Sequence, residues 1–258
     1  MKALIRRLLE NFVKQHGYVL MPAKHWHEYR KLSEQQKTSD AMTRCLQELV
    51  KSNGIDCVFD VGANDGGFVR TMRESVGYQG WIISFEALPD VAADLQRQAA
   101  GDPKWEVVCL AVGAEAGELA FHRMASDVFS SFLKPDASQP GKYNDSNKVV
   151  KSEMVKVETV NTLWPQFRQR LGATKLLLKS DTQGFDLKVF AGASQHLADI
   201  PVLVSELSCV RIYQDAPTYQ ESLQCYAASG YVPAMFVPIS FDAGHAILEM
   251  DAVLVRKI

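Results

Sequence analysis

Val58-Phe59-Asp60-Val61-Gly62-Ala63-Asn64-Asp65-Gly66-Gly67-Phe68 runs an apolar strand into an acidic residue, then a glycine-rich turn, then the start of a helix. Gly62 has no Cβ, so the backbone there can approach a ligand closely. The helix that follows opens with free N–H groups suited to an anion or a polar ligand end. The turn is neither the GxGxxG dinucleotide fingerprint nor the GK[ST] of a phosphate-binding P-loop. Further evidence must therefore come from the neighbouring segments.

The next strand supplies it. Trp81-Ile82-Ile83-Ser84-Phe85 ends in Glu86, where a carboxylate is placed to accept hydrogen bonds from the hydroxyls of an adenosine ribose. Leu88 and the adjoining Ala87 are placed to wall the adenine. Ala111 and Val112, which follow the strand at 105–110, lie where its edge would rest. Short apolar runs at 57–61, 81–85, 105–110, 175–179, 202–206, 231–237 and 251–256 alternate with helical stretches at 66–75, 90–99, 184–194 and 217–229. That alternation predicts an α/β fold, a seven-stranded and mostly parallel sheet with helices on both faces. No helix separates the last two runs, so they form a late antiparallel pair. Gly117–Arg123 and Val155–Val160 alternate apolar and polar residues and predict an inserted hairpin, joined by a long polar loop at 134–150 that is either a lid or disordered.

Before the sheet, Leu4, Ile5, Leu8, Leu9, Phe12 and Val13 recur at helical spacing. The helix over 2–16 either docks on the domain or on a second copy of the chain, or lies on a membrane surface through its basic amphipathic face. Residues 17–39 read as a connector, and 40–52 as a second helix ending at Asn53-Gly54. The chain thus divides into a helical N-terminal extension, 1–53, and an α/β domain, 54–258. The net charge of −2 carries no basic excess and predicts no nucleic-acid partner. The five cysteines lack zinc or redox spacing and predict buried, reduced thiols in a cytoplasmic protein, with Cys57 and Cys109 inside apolar runs. No signal peptide is visible, and no apolar run reaches the roughly 18 residues of a membrane span.

The chain resembles the FkbM-type methyltransferases, S-adenosylmethionine-dependent O-methyltransferases of the Rossmann-like class, over roughly residues 55–237. The resemblance is carried by DVGANDGGF at 60–68, ISFEALPD at 83–90, AVG at 111–113, SSF at 130–132, LLKSDTQGFDLKVFAGA at 177–193 and VSEL at 204–207. It implies that Asp60, Gly62, Asn64, Asp65 and Phe68, with Ala63 and Gly66 in the same turn, line the methionine end of S-adenosylmethionine. It also implies that Glu86 holds the ribose and that Ser131 approaches the cofactor. The family pattern after the fourth strand is more often Asp-Val-Glu-Gly, whereas here it is Asp181-Thr182-Gln183-Gly184, so one carboxylate is an amide and no metal site is expected.

Methyl transfer to an alcohol needs alignment of the nucleophile and a base to take its proton. Asp181, at the fourth strand's end and also in the cofactor site, is the first candidate, and His245, between the last two strands, the second. His122 is a more remote candidate. Glu206, at the fifth strand's end, is placed to orient the acceptor's hydroxyls, and Arg211 and Tyr213 either line the acceptor pocket or pack on the surface. The resemblance implies a hydroxyl on a sugar or related glycan or natural product as acceptor. An amino-sugar nitrogen, an NAD-dependent oxidoreductase and a non-catalytic cofactor-binding module are the alternatives.

Overall fold

The computed structural model describes residues 40–257. The chain divides into two compact units, Met1–Met42 and Thr43–Ile258. The helix expected over 2–16 and the connector over 17–39 lie outside the described residues. A first helix, α1, covers residues 40–52.

The larger unit is built on a seven-stranded sheet. Its strands are β1 (Cys57–Val61), β2 (Trp81–Glu86), β3 (Trp105–Cys109), β7 (Leu176–Ser180), β8 (Val202–Ser208), β9 (Tyr231–Phe241) and β10 (Ile247–Arg256), in the order β3-β2-β1-β7-β8-β10-β9. Pairing is parallel from β3 through β8 and antiparallel for β8–β10 and β10–β9. The expected mostly parallel sheet with a late antiparallel strand is therefore present. It is a Rossmann-like, doubly wound arrangement. The order reverses between β1 and β7, the position at which a doubly wound sheet opens a crevice beyond its carboxyl ends.

β1 and β7 are buried along their whole length, which is why they read as mostly apolar runs, broken by Asp60 and by Lys179 and Ser180, rather than alternating ones. Phe59 and Phe85 project to one face of the sheet and meet α4 (Val160–Leu171). Phe59 packs edge-to-face on Phe85, Trp164 and Phe167, with ring centroids 5.0, 5.8 and 5.4 Å apart. On the opposite face lie α2 (Gly67–Arg70), which tightens into a π-helical turn over Thr71–Val76, and α3 (Pro89–Ala99), with Met72 and Leu95 fully buried. Helices α5 (Asp186–Ala191) and α6 (Tyr219–Ala228) complete the cover.

Four elements differ from the sequence reading. Helix α4 was not expected, because Pro165 interrupts it and Val160, Asn161 and Thr162 are weak helix formers. Tertiary burial of Trp164 and an N-cap from Thr159, which accepts the Thr162 N–H, hold it in place. The inserted pair is larger than a hairpin: β5 (Gly117–Met124) runs antiparallel to β6 (Val149–Glu158), and β6 also pairs in parallel with β4 (Ala111–Val112). The 134–150 loop is pinned rather than free, since Tyr143 and Asn147 within it are buried. Finally, β9 and β10 extend four residues further toward the carboxyl rim than expected. Cys57 is buried as anticipated, but Cys109 ends the edge strand β3 and is exposed, so its apolar neighbours misled the reading.

Trp164 is fully buried and its indole N–H donates to Asp199 Oδ2 at 3.0 Å. Trp164→Ala is expected to lower the unfolding free energy by about 3–5 kcal/mol, measured by urea denaturation. A loss below about 1 kcal/mol would mean that α4 contributes little to the core.

Candidate active site

The carboxyl ends of the parallel strands converge on a cavity of about 310 Å³. Gly62 and Asn64 follow β1, Glu86 ends β2, Ala111 and Val112 form β4, Asp181 follows β7 and Glu206 lies near the end of β8; all line it. The segment 127–132 and Phe121 of β5 form a further wall, and Ile239 and Glu249 enter from the extended β9–β10 pair.

The turn after β1 is shaped by contact with β7. Gly62 adopts φ +74°, and a Cβ there would sit 1.9 Å from the Asp181 carbonyl oxygen. Asn64 is also left-handed, at φ 44°, and its backbone N–H donates to Glu86 Oε2 at 3.0 Å. Leu88 N–H donates to the other oxygen, Oε1, at 2.9 Å. Burial raises the Glu86 carboxyl above its ordinary value, and these amide bonds oppose the rise by favouring the anion. Each Glu86 oxygen keeps a lone pair for a ligand hydroxyl.

Beside Glu86 the cavity is apolar, walled by Leu88, Val91, Ala111, Val112, Phe121 and Phe132. Phe132 stands edge-on to Phe121 at 5.0 Å and tilts against Phe185 at 4.6 Å. A buried carboxylate with lone pairs to spare stands next to an apolar slot, with a glycine turn on the other side, a set of groups whose chemistry suits a nucleoside.

The far end is polar. Gln183 Nε2 donates to Glu206 Oε2 at 2.8 Å and to Asp181 Oδ1 at 3.1 Å. The Tyr213 hydroxyl lies 2.9 Å from Gln183 Oε1 and 2.8 Å from the Phe129 carbonyl oxygen. Glu249 Oε2 accepts from Tyr143 and Ser240 at 2.8 and 2.7 Å. Burial, then the neighbouring Asp181 and Glu249, push the Glu206 carboxyl well above the usual range. The same causes, burial first and Asp181 second, raise Asp251 to about 7. Burial raises Asp186 to about 6 against the hydrogen bond it accepts from Ser180.

Several residues expected in the site lie outside the cavity wall. Asp60 is fully buried beneath it, with the Lys179 ammonium 3.0 Å from Oδ1 and the Ser84 hydroxyl donating to Oδ2 at 3.2 Å. The Lys179 contact is out of line for a hydrogen bond to Oδ1 and is an ionic one. Ala63 and Gly66 pack inward. Asp65 is exposed and paired with Arg70 at 2.7 Å, and Phe68 lies with its ring centroid 5.8 Å from the Lys179 ammonium. Ser131 is fully buried: its hydroxyl donates to the Gln183 carbonyl oxygen at 2.8 Å and accepts the Leu133 N–H at 3.0 Å, so Ser130 and Phe132 reach the cavity in its place. His245 sits exposed at φ 68° in the β9–β10 turn, away from the wall. His122 bonds Ser152 across β5–β6 at 2.7 Å. Arg211 lies on the surface near Glu221, whereas Tyr213 is buried against Gln183. Phe121, Phe132, Gln183, Ile239 and Glu249 were not anticipated as wall residues. Of these, only Phe132 and Gln183 stood in segments singled out as motifs.

The chain matches the family described as methyltransferase FkbM domain over residues 60–233. Among solved structures it resembles a putative methyltransferase from Thermobifida fusca, at 10% identity and a TM-score of 0.48, with 87% of this chain and 81% of that chain covered. An rRNA methylase from Streptococcus thermophilus aligns at 7% identity and a TM-score of 0.44, covering 84% and 95%. Aeropyrum pernix fibrillarin with natively bound S-adenosyl-L-methionine aligns at 10% identity and a TM-score of 0.41, covering 79% and 67%. No curated protein matches the chain significantly.

The acid cluster makes stability depend on pH. Folded Asp251 titrates at about 7 against an ordinary 3.8, so the folded protein holds a proton there that the unfolded chain has released. The stabilisation is full below the ordinary value and is lost as pH rises through about 7. Thermal melts of the wild type are expected to fall in midpoint from acid toward pH 8, and Asp251→Asn is expected to flatten that fall. Parallel pH profiles for the two proteins would contradict this assignment.

Proposed function

The chain belongs to the methyltransferase FkbM domain family and is an S-adenosylmethionine-dependent methyltransferase, and from that premise we propose that it methylates a hydroxyl of a sugar or a related glycan or natural-product acceptor. The observation that carries the reading is the two-ended cavity. Glu86 and an apolar slot stand at one end, and Asp181, Gln183, Glu206 and Glu249 at the other. Carboxylates and an amide around one small volume suit an acceptor rich in hydroxyl groups.

The cofactor supplies an electrophilic methyl group on a sulfonium. The chain's own part is alignment and proton handling. Glu86 accepts hydrogen bonds from the ribose hydroxyls, and Leu88, Ala111, Val112 and Phe132 enclose the adenine. Asp181 is the general base, taking the acceptor hydroxyl's proton on its carboxylate as the oxygen–methyl bond forms. Burial and its acidic neighbours favour the protonated form of Glu206, and in that form it donates a hydrogen bond to an adjoining acceptor oxygen. Val128 and Ile239, exposed apolar side chains at the cavity wall, suit a less polar part of the acceptor.

The first test is calorimetric titration of S-adenosylmethionine and S-adenosylhomocysteine, with NAD as control. Glu86→Ala is expected to weaken both sulfur ligands by roughly 10- to 100-fold, the value of hydrogen bonds to a charged group. Asp181→Asn is expected to keep S-adenosylhomocysteine binding while lowering transfer by at least about 100-fold. Transfer from methyl-labelled cofactor would then be screened across sugars, amino sugars and simple alcohols. Labelling confined to nitrogen, or to alcohols unrelated to sugars, would overturn the acceptor assignment.

A further inference from the structure

Gln183 is the one neutral polar side chain between two acids at the acceptor end of the cavity. Its amide offers two N–H donors, and both are used: one on Asp181 Oδ1 and one on Glu206 Oε2. The reverse orientation would aim the amide oxygen at two carboxyl groups. The Tyr213 hydroxyl has one proton to share between the Phe129 carbonyl oxygen at 2.8 Å and Gln183 Oε1 at 2.9 Å, and when it donates to Oε1 it favours the orientation observed. Tyr213 is fully buried, so it has little room to turn away.

The backbone beneath the side chain is held as firmly. Gln183 takes φ 53°, a left-handed conformation that costs energy for a residue with a Cβ. Gly184 follows at φ +89°, where a Cβ would meet Ala216 at 3.0 Å and Leu133 at 3.2 Å. Ser131 donates to the Gln183 carbonyl oxygen at 2.8 Å. A left-handed residue held by four partners, Asp181, Glu206 and Tyr213 at its side chain and Ser131 at its carbonyl, points to a requirement on its side chain.

That requirement is charge. Asp181, Asp186, Glu249 and Asp251 all act on Glu206, from the turn after β7, from α5 and from β10. The nearest buried cation, Lys179, sits 3.0 Å from Asp60 and 3.9 Å from Asp181. Tyr143 and Tyr213 are the neutral titratable groups facing the cluster. Two acids brought together in a partly desolvated wall need a proton, a cation or a shared donor between them.

We propose that Gln183 is a positioning residue: its amide, turned by Tyr213, ties the Asp181 and Glu206 side chains together at the acceptor end and takes the place of a cation between them. The tie leaves one oxygen of each acid, Asp181 Oδ2 and Glu206 Oε1, outside the amide's grip. Asp181 therefore presents a fixed oxygen, Oδ2, 3.9 Å from the Lys179 ammonium, and Glu206 a fixed neighbour to it. This inference rests on Asp181 standing at the methyl-transfer end of the cavity.

The test reads the acids directly. The full chain, labelled with ¹³C at aspartate and glutamate carboxyls, is titrated by NMR as wild type, Gln183→Met, Gln183→Glu and Tyr213→Phe. Glu206 is assigned by the signal lost in Glu206→Gln. The Glu206 midpoint is expected to move upward in pH in Gln183→Met, which removes both donors at similar volume. It is expected to move further upward in Gln183→Glu, which adds a carboxylate, and least in Tyr213→Phe, which only frees the amide to turn.

Binding of S-adenosylhomocysteine to each variant serves as the control for an intact fold. A residue of purely structural importance would lower that affinity and leave the Glu206 midpoint where it was, which would overturn the proposal. So would an unchanged midpoint in both Gln183→Met and Gln183→Glu. If Gln183→Met fails to fold, an unmoved midpoint in Tyr213→Phe and Gln183→Glu overturns it equally. Failure of the wild type to bind either sulfur ligand would count against the methyl-transfer reading of the cavity, and the Glu206 titration would still decide the role of Gln183.

Discussion

A lysine ammonium beneath the cavity floor makes the arrangement of acids at the rim possible. Lys179, Asp60 and Ser84 are direct cross-strand neighbours on β7, β1 and β2. They join in a row that continues to β3: the Trp105 indole N–H donates to Ser84 Oγ, Ser84 donates to Asp60 Oδ2, and Asp60 Oδ1 faces the ammonium. Asp60 is wholly buried, and an anion there without a partner would carry a penalty of several kcal/mol, on the order of that for any desolvated ion. Lys179 offsets that penalty and spends its remaining donors on the carbonyls of Gly62 and Val61, at 3.0 and 3.4 Å. The same ammonium thus neutralises the strand-end acid and fixes the direction of the glycine turn. Burial alone would lower the lysine's affinity for its proton; Asp60 and Asp181 more than reverse this and raise it.

The turn fixed in this way determines the cavity. Because the Gly62 carbonyl is held from below, the chain passes so close to Asp181 that no side chain fits at position 62. Asn64 is carried round to donate its N–H to Glu86, which orients that carboxylate at the cavity wall. Asp181 leaves β7 on the other side of the same contact, its backbone N–H donating to the Val61 carbonyl at 3.1 Å. The two ends of the cavity, one apolar beside Glu86 and one lined by Asp181, Gln183 and Glu206, are therefore set by a single backbone crossing at the point where the strand order reverses. Acids accumulate at this rim because every parallel strand delivers its last residue there, and the fold tolerates them through hydrogen bonds from Gln183, Tyr143 and Ser240 as well as through Lys179.

What could be read in the sequence was what local pattern determines. The strands β1, β2, β7 and β8 are largely buried and appear as mostly apolar runs with a polar residue near the carboxyl end, so their number and the parallel order of the core followed from alternation with helices. Glu86 and Asp181 were legible because a strand end followed by a turn marks the ligand rim of this architecture. Helix α4 was not, since its stability comes from Trp164 and Phe167 packing on Phe59, a contact between residues more than a hundred positions apart, while its own sequence contains a proline. Ile239 and Glu249 were missed for a related reason. The extension of β9 and β10 past the rim follows from their pairing with each other, across a register irregularity near Glu249, and a polar stretch with Gly244 reads as a loop until its partner is known.

The motif residues themselves show why a pattern identifies a site more readily than it assigns roles. DVGANDGGF and SSF both belong to the region of the cavity, yet Asp60 and Ser131, two of their most polar members, do not line it. Asp60 is consumed by Lys179 and Ser84, and Ser131 by the carbonyl of Gln183 and the amide of Leu133. Each is restricted to its residue type by the neighbour it satisfies: an apolar side chain at 60 would strand the Lys179 ammonium, and one at 131 would release a carbonyl held in a strained turn. A ligand constrains the residues that line its cavity, and Glu86 and Asn64 line this one. Those residues constrain the buried groups that aim them, so the pattern extends one layer deeper than the cavity. Ser131 is the clearest instance, since through Gln183 it joins the segment walling the cavity to the two acids at its acceptor end.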